Sequence, residues 1–187
     1  MPSNNRAVDN MIRVAKLKPN ETVFDLGCGD ARFLIEAEKK ARVKAIGFEI
    51  APLVYMLAIT RKFISGSKAQ INLRSFFNAD LHSANVIFCY LFPNVMERLA
   101  EKIKKECKRG TRIISNTFSI PGLKLVEKIL KDPKKGIPTI YVYKVGNNSN
   151  NGGNNFSAAF YSYSNGSVDR AVGANSRETH FKDAGIG

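Results

Sequence analysis

A pair of glycines near the start of the chain is placed to bind a nucleoside. Gly27 and Gly29 follow an apolar run that contains Asp25, and a helical pattern begins a few residues later. Glycines at such a point permit a tight turn and let a ligand approach the backbone where a Cβ would block it. The following helix would direct free N–H groups and the positive end of its dipole towards that ligand. The pattern therefore predicts a ligand site at the end of the first strand.

An acidic residue completes this pattern after the next apolar run. Glu49 follows residues 43–48, and a carboxylate there can accept hydrogen bonds from both hydroxyls of a ribose. Arg32 stands where a dinucleotide site usually has a third glycine, and Asp25 suits a positively charged ligand better than a pyrophosphate. An ordinary αβ turn with a glycine pair is the alternative. It explains less well why strand, Asp, Gly-x-Gly, helix, strand and Glu occur in this order.

The segment Asp25–Asp30, which reads Asp-Leu-Gly-Cys-Gly-Asp, resembles the first motif of class I S-adenosylmethionine-dependent methyltransferases. The resemblance implies that S-adenosylmethionine is the cofactor and that the glycines, with Cys28 between them, pass under its methionine part. It also implies that Glu49 binds the ribose and that Asp25 and Asp30 lie near the methionine end. For Asp30, capping of the following helix is an equally good account, and the two roles can coexist.

A second motif narrows the substrate class. Enzymes that methylate amino groups of nucleic acids or protein glutamine commonly carry Asn/Asp-Pro-Pro-Tyr/Phe after the fourth strand, whereas Tyr90–Pro93 reads Tyr-Leu-Phe-Pro. With residues 112–118, this segment is similar to a family of small protein-lysine methyltransferases. The family includes the mitochondrial enzymes that act on the ATP synthase c-subunit and the adenine nucleotide translocase, and archaeal relatives. The resemblance covers about residues 6–145 and implies methylation of lysine side chains by direct displacement.

Two departures from the family pattern concern the cofactor. Ala31 stands where the family usually has glycine, and Ser75 stands where it usually has an acid or amide that recognises the adenine amino group. Ser75 and Phe76, in the turn after the third strand, are the candidate contacts to the adenine. Asn78 and Asp80 are the alternatives.

Tyr90 and Phe92 are the candidate catalytic residues. Methyl transfer from a sulfonium to an amine needs a neutral nucleophile, but a lysine with its reference pKa of about 10.4 is almost wholly protonated at neutral pH. An apolar pocket shifts that lysine towards its reactive form. Aromatic faces also attract an ammonium or sulfonium by ~0.5–2 kcal/mol. Packing in the core is the alternative for both rings.

Strands and helices alternate with short connections before a closing hairpin. This order predicts an α/β fold with a Rossmann-like, doubly wound, mostly parallel sheet that ends in an antiparallel hairpin. The ends of the first, second and fourth strands should meet at the site, and a short amphipathic helix over residues 6–17 should lie beside it. A helix over residues 51–64 is apolar all round, so we expect it to be buried between layers.

The chain is long enough for one domain. We predict that residues 1–145 form the methyltransferase domain, and that residues 146–187, rich in Asn, Ser and Gly, form a disordered tail. The chain has no apolar run that could span a membrane and no signal peptide, so a soluble, cytoplasmic monomer is expected. Three widely spaced cysteines and two distant histidines indicate neither a disulfide framework nor a metal site.

The chain carries a formal charge of +13 from 29 basic and 16 acidic residues. Such an excess favours an acidic partner, although solvated lysine-rich helix faces explain it as well. An RNA (rRNA or tRNA) methyltransferase is the main alternative, and the missing Asn-Pro-Pro-Tyr motif argues against it. A non-catalytic nucleic-acid-binding protein that kept the fold is the second. Intact Gly27, Gly29 and Glu49 argue against that alternative. Because the Asn-Pro-Pro-Tyr motif is missing and the chain resembles protein-lysine methyltransferases, a protein substrate is favoured over nucleic acid.

Overall fold

The computed structural model describes residues 5–132, 137–146, 159–164 and 167–171. Helices and strands alternate as far as β5, and strands alone follow in the described residues. The elements are α1 Asn5–Ala15, β1 Thr22–Leu26, α2 Arg32–Ala41, β2 Lys44–Glu49, α3 Pro52–Ser65, β3 Gln70–Leu73, β4 Val86–Cys89, α4 Met96–Glu106, β5 Arg112–Asn116, β6 Leu125–Ile129, β7 Ile140–Lys144, β8 Ala159–Ser164 and β9 Ser167–Ala171. Single 3₁₀ turns cover Phe76–Asn78 and Pro93–Val95.

The strands form one sheet in the order β3-β2-β1-β4-β5-β7-β6-β8-β9. Strands β1 to β5 pair in parallel, and β7 pairs antiparallel with both β5 and β6. The predicted doubly wound sheet with a closing hairpin is therefore confirmed. The chain runs outwards from β1 to β3 and then returns to place β4 on the other side of β1. Ligands bind at the carboxyl ends of strands beside such a reversal, and Leu26 at the end of β1 is level with Phe48 and Cys89.

Two apolar layers cover the faces of the sheet. Along β4, Val86 and Phe88 face one layer, while Ile87 and Cys89 face the other, because successive side chains of a strand point in opposite directions. All four are buried, which explains why a central parallel strand is apolar without interruption. Helices α1 and α2 cover the first face and α4 the second. The central strands are thus fixed on both sides, and their carboxyl ends are held rigidly.

Helix α3 differs from its prediction. Ala58 is its one buried residue, whereas Leu53 and Phe63 are 86% and 87% exposed. The reason lies in its position in the fold: α3 packs on β2, on β3 at the edge of the sheet, and on α2. No further layer of the described residues covers its other side. An apolar composition predicts burial only where the chain supplies a second layer.

Two strands lie inside the segment for which the sequence predicts a disordered tail. Strand β8 runs parallel to β6, and β9 pairs antiparallel with β8. The dipeptide Asn165-Gly166 between the two strands is a strong hairpin signal, which the polar composition around it obscured. Residues 147–158, 165–166 and 172–187 of that segment are outside the described residues, and the domain boundary at residue 145 stays a prediction.

Candidate functional site

The turn after β1 is held against the end of β2. Gly27 and Cys28 both donate their backbone N–H groups to the carbonyl oxygen of Phe48, each at 2.9 Å. Gly27 and Gly29 have φ angles of +79° and +56°, values that side chains disfavour. A Cβ on Gly27 would come within 3.0 Å of Leu91, whereas a Cβ on Gly29 would meet no atom within 4 Å. The second glycine therefore leaves its backbone open to a ligand.

A cavity of about 590 Å³ opens beside this turn, at the carboxyl ends of the central strands. Eight of the ten predicted site residues line it: Asp25, Gly27, Cys28, Gly29, Asp30, Glu49, Tyr90 and Phe92. Val8 of α1 also lines it, so the first helix lies beside the site as predicted. The other lining residues are Arg32, Phe33, Val54, Leu57, Phe88, Leu91 and Phe118. The cavity thus brings together nearly all of the predicted residues from widely separated parts of the chain.

Glu49 joins the glycine turn to the start of α3. Its Oε2 accepts a hydrogen bond from the N–H of Gly29 at 3.0 Å. Its Oε1 accepts from the N–H groups of Ile50 and Ala51 at 2.8 and 2.9 Å. Because a carboxylate has about four acceptor positions, this fixed group retains capacity for a ribose hydroxyl. The hydrogen bond from Gly29 to Glu49 therefore joins the glycine turn to the acidic residue, the two parts of the sequence pattern that predicts a nucleoside site.

The cavity is acidic although the chain is strongly basic. Asp25 is buried, and this burial raises the pKa of its carboxyl group well above the ordinary value. The carboxylates of Glu49 and Asp30 raise the pKa of Asp25 further. Burial also raises the pKa of the Cys28 thiol, which is therefore neutral. Arg32 also lines the cavity and pairs with Asp30, so Asp25 and Glu49 are the acidic groups that make the lining favour a cationic ligand.

Asp30 is bound by two arginines. Its Oδ2 lies 2.9 Å from Nη2 of Arg32 and 3.1 Å from Nη2 of Arg61, which belongs to α3. Its Oδ1 accepts a hydrogen bond from the backbone N–H of Arg32 at 3.2 Å. Asp30 thus satisfies the first N–H of α2 from one position before the N-cap residue Ala31. The carboxylate of Asp30 serves the helix start and can still face the cavity.

Aromatic rings form the other side of the cavity. Phe33 and Phe88 are buried and stack with their centroids 4.0 Å apart. Tyr90 and Phe92 stand at the rim, and Phe92 is 75% exposed. Packing in the core, the alternative for these two residues, does not fit their exposure. The arrangement is an acidic interior with an aromatic entrance.

Ser75 and Phe76 are not brought to this cavity. The Oγ of Ser75 accepts a hydrogen bond from the N–H of Phe77 at 3.2 Å and so caps the 3₁₀ turn. Phe76 is buried, and its ring lies 4.4 Å from that of Phe77. These local contacts account for both residues in the described structure, and their contact with adenine stays a prediction. Asn78 and Asp80, the alternatives, are not among the lining residues either.

Two lining residues that the sequence analysis missed come from α3. Val54 and Leu57 both line the cavity. Their spacing of three residues, just after the position predicted to bind ribose, indicates one helix face. The apolar composition of the helix makes that spacing hard to detect, because a helix that is apolar all round is expected to be buried between layers.

The site fits S-adenosylmethionine. An acidic interior suits the positive charges of its sulfonium and ammonium groups, and the backbone at Gly29 is open to a ligand. Glu49 is fixed where the pattern expects a ribose contact. Together with the sheet order, these features define a class I S-adenosylmethionine-dependent methyltransferase.

Comparison with known proteins identifies the family. Residues 25–127, more than half of the chain, match the family model described as the ANTKMT methyltransferase domain. A protein-lysine N-methyltransferase of Saccharolobus islandicus (strain REY15A) is 36% identical over 149 residues, which cover 78% of this chain and 92% of that protein. The adenine nucleotide translocase lysine N-methyltransferase of Mus musculus is 27% identical over 118 residues, which cover 62% of this chain and 51% of the mouse protein.

A solved structure agrees with this fold. An RNA methyltransferase from Salinibacter ruber, in complex with S-adenosyl-L-homocysteine, has a TM-score of 0.72 and 24% identity. The match covers 78% of this chain and 94% of that one, and it shows the fold alone. The chain belongs to the ANTKMT methyltransferase domain family. This confirms the predicted family and S-adenosylmethionine as its cofactor.

Proposed function

We propose that this protein transfers a methyl group from S-adenosylmethionine to lysine side chains of protein substrates. The observation that carries this proposal is the acidic cavity with an exposed aromatic entrance at Tyr90 and Phe92. A relative supports the choice of lysine: the match to the protein-lysine N-methyltransferase of Saccharolobus islandicus covers 92% of that protein.

The cofactor would be held by the turn and the three carboxylates. Gly27, Cys28 and Gly29 present backbone to it, and Glu49 is oriented for the ribose hydroxyls. Asp25 and Asp30 supply negative charge near the methionine part. When bound, the cofactor supplies a methyl group on a positively charged sulfur. The protein needs no nucleophile of its own for a direct displacement, so positioning of the two reactants provides most of the rate.

The substrate lysine would enter between Tyr90 and Phe92. Their ring faces attract its ammonium group at the rim, and the apolar walls formed by Phe33 and Phe88 exclude water further in. Loss of water disfavours the charged form of the amine and lowers its pKa. A neutral amine is the form that can attack the methyl carbon. The aromatic entrance therefore selects the lysine, and the apolar walls further in favour its reactive, neutral form.

We also propose that residues 1–145 are the catalytic unit of a cytoplasmic monomer. Its three cysteines are free thiols, which fits a reducing compartment. No helix in the described part of the chain is long and apolar enough to cross a bilayer.

Transfer of labelled methyl groups tests the function. The purified protein is incubated with labelled S-adenosylmethionine and a cell lysate, and we expect label that is lost on protease treatment and recovered as methyl-lysine after hydrolysis. Asp25→Ala should remove this activity while circular dichroism shows an intact fold, because the cavity loses its buried carboxylate. Phe92→Ala is the matched rim variant and should retain cofactor binding by calorimetry. Label that resists protease and is lost with RNase would instead make RNA the substrate.

A further inference from the structure

The outer face of α3 is apolar and exposed. It consists of positions spaced three and four residues apart, which lie on one side of a helix: Leu53, Met56, Leu57, Thr60, Phe63 and Ile64. Thr60, its polar member, donates its hydroxyl to the carbonyl oxygen of Met56 at 2.9 Å. The outer face therefore has no side-chain polar group that needs an outside partner. Contiguous apolar surface of this kind marks an interaction site on a soluble protein.

The charged residues of α3 itself, and of the segments that directly adjoin it in the sequence, are basic. Residues 50–79 contain Arg61, Lys62, Lys68 and Arg74 and no acidic residue. Arg61 turns inwards to Asp30, and the guanidinium of Arg74 lies 5.4 Å from the ring centroid of Phe48. Glu38 of α2 accepts hydrogen bonds from Ser67 and from the backbone of Lys68. Lys62, which is half-buried, and exposed Lys68 are therefore the basic side chains that the docking argument uses. An occupant of this region must therefore accept apolar side chains and carry negative charge.

We propose that the outer face of α3 docks on the surface of an anionic lipid membrane. An apolar helix face bordered by Lys and Arg inserts at the boundary between headgroups and acyl chains, while the basic groups approach lipid phosphates. A second copy of the chain fits less well, because it would bring Lys62 and Lys68 of two strongly basic molecules together. A protein partner fits less well too, because interfaces carry about one hydrogen bond per 100–200 Å², and this face offers none.

The outer face continues to the mouth of the cavity. Leu57 belongs to both, because it is half exposed and also lines the cavity. Exposed Ile50 precedes the helix, and exposed Phe92 stands at the rim. Docking through α3 would place the aromatic entrance next to the bilayer. If lysine is the substrate, as proposed above, the enzyme then acts on lysines that lie close to a membrane surface.

Sedimentation with vesicles tests the docking independently of methyl transfer. The full chain is mixed with vesicles of phosphatidylcholine, with or without phosphatidylserine. We expect phosphatidylserine to raise binding by at least about tenfold, and Phe63→Gln/Ile64→Gln to lower it by at least about tenfold. Lys62→Gln/Lys68→Gln should weaken binding to phosphatidylserine vesicles only. Val126→Gln/Leu130→Gln, which replaces two exposed apolar residues near β6, is the matched control and should bind as the wild type does.

Three results would overturn the docking proposal. Equal binding to neutral and anionic vesicles would remove the role of the basic residues, and unchanged binding of the Phe63→Gln/Ile64→Gln variant would remove that of α3. A dimer in sedimentation velocity that the same variant dissociates would make the outer face a subunit interface. Phe63 and Ile64 do not line the cavity, so this variant should bind S-adenosylmethionine normally. Failure of docking is thereby distinguished from failure of the proposed function.

Discussion

Helices α2 and α3 both contribute lining residues to the same cavity and follow neighbouring strands, yet they use their apolar residues in opposite ways. Helix α2 buries Phe33, Leu34, Ile35 and Ala37 against the sheet. Helix α3 buries only Ala58 and turns large apolar side chains outwards. Burial of a Leu or Phe stabilises a fold by about 1.5–3 kcal/mol, so α2 contributes to stability in a way that α3 does not.

The contrast separates two reasons for an apolar helix. In α2 the apolar residues keep the glycine turn in place, because the helix starts directly after that turn. In α3, Ala58 packs into the core and Val54 and Leu57 line the cavity, whereas no layer of the described residues covers the outer face. The docking proposed above gives the outward apolar side chains of α3 a role that the described part of the fold does not.

Replacing one leucine in each helix should give the largest difference. Leu34→Ala removes a fully buried side chain and should lower the free energy of unfolding by about 2–5 kcal/mol. Leu53→Ala removes a side chain that is exposed and should change it by less than about 0.5 kcal/mol. Denaturation by urea with both variants measures the difference. Equal losses would mean that the outer face of α3 is covered in the folded protein, and the comparison would fail.

A methyl group on Gly47 should damage the α2 side of the site. A Cβ there would lie 2.5 Å from Cδ1 of Leu34 and 2.8 Å from Sγ of Cys28. Gly47→Ala should cost about 1–3 kcal/mol of stability and weaken binding of S-adenosylmethionine, because the displaced Cys28 belongs to the glycine turn. Gly146→Ala is the control, since its Cβ would meet no atom within 4 Å. Calorimetry measures cofactor binding and thermal unfolding measures stability for both variants. Normal cofactor binding by Gly47→Ala would show that the packing of β2 at Gly47 does not control the conformation of the glycine turn.

The residues that the sequence predicted well are those with a local physical signature. The glycine turn and Glu49 follow from backbone conformation and strand order, which short segments of sequence encode, and the structure joins them by a hydrogen bond. Ser75 was harder, because its hydroxyl serves a 3₁₀ turn and nothing in its type distinguishes that use from a ligand contact. The exposure of Leu53 could not be predicted, since it depends on which layer the rest of the chain places over α3.

The buried carboxyl group of Asp25 should lower the stability of the fold while it strengthens binding of S-adenosylmethionine. Its pKa is raised in the folded protein. As the pH rises from the pKa of the unfolded chain to that of the folded protein, ionisation of Asp25 increasingly destabilises the fold, and the full destabilisation is present above the folded pKa. It disappears as the pH falls below the pKa of the unfolded chain. Asp25→Asn should therefore raise the free energy of unfolding at neutral pH by about 0.5–2 kcal/mol and lose most of this gain below pH about 4. Thermal unfolding over a pH series measures it. The same variant should bind S-adenosylmethionine more weakly, because the cavity loses a negative charge. A gain independent of pH would contradict the electrostatic explanation.

The smallest effect is expected from the ion pair that links α3 to the turn. Arg61 contacts Asp30, but its side chain is 40% exposed, and Asp30 keeps its contact to Arg32 when Arg61 is removed. Arg61→Gln should therefore lower the free energy of unfolding by less than about 1 kcal/mol. Lys40→Gln, which removes the contacts of Lys40 to Glu36 in the same helix and to Asp9 in α1, is the matched control with an equally small cost.

Unfolding in urea at low and high salt measures both of these variants, and salt should reduce both effects because it screens exposed charges. A loss of several kcal/mol for Arg61→Gln alone would show that this ion pair is what holds α3 on the sheet. In that case the orientation of the outer face would be set by Asp30, and α3 would be coupled to the cofactor turn much more tightly than its few buried side chains indicate. A small loss instead leaves α3 held by Ala58 and by its contacts with β2, β3 and α2, with its apolar face available for binding.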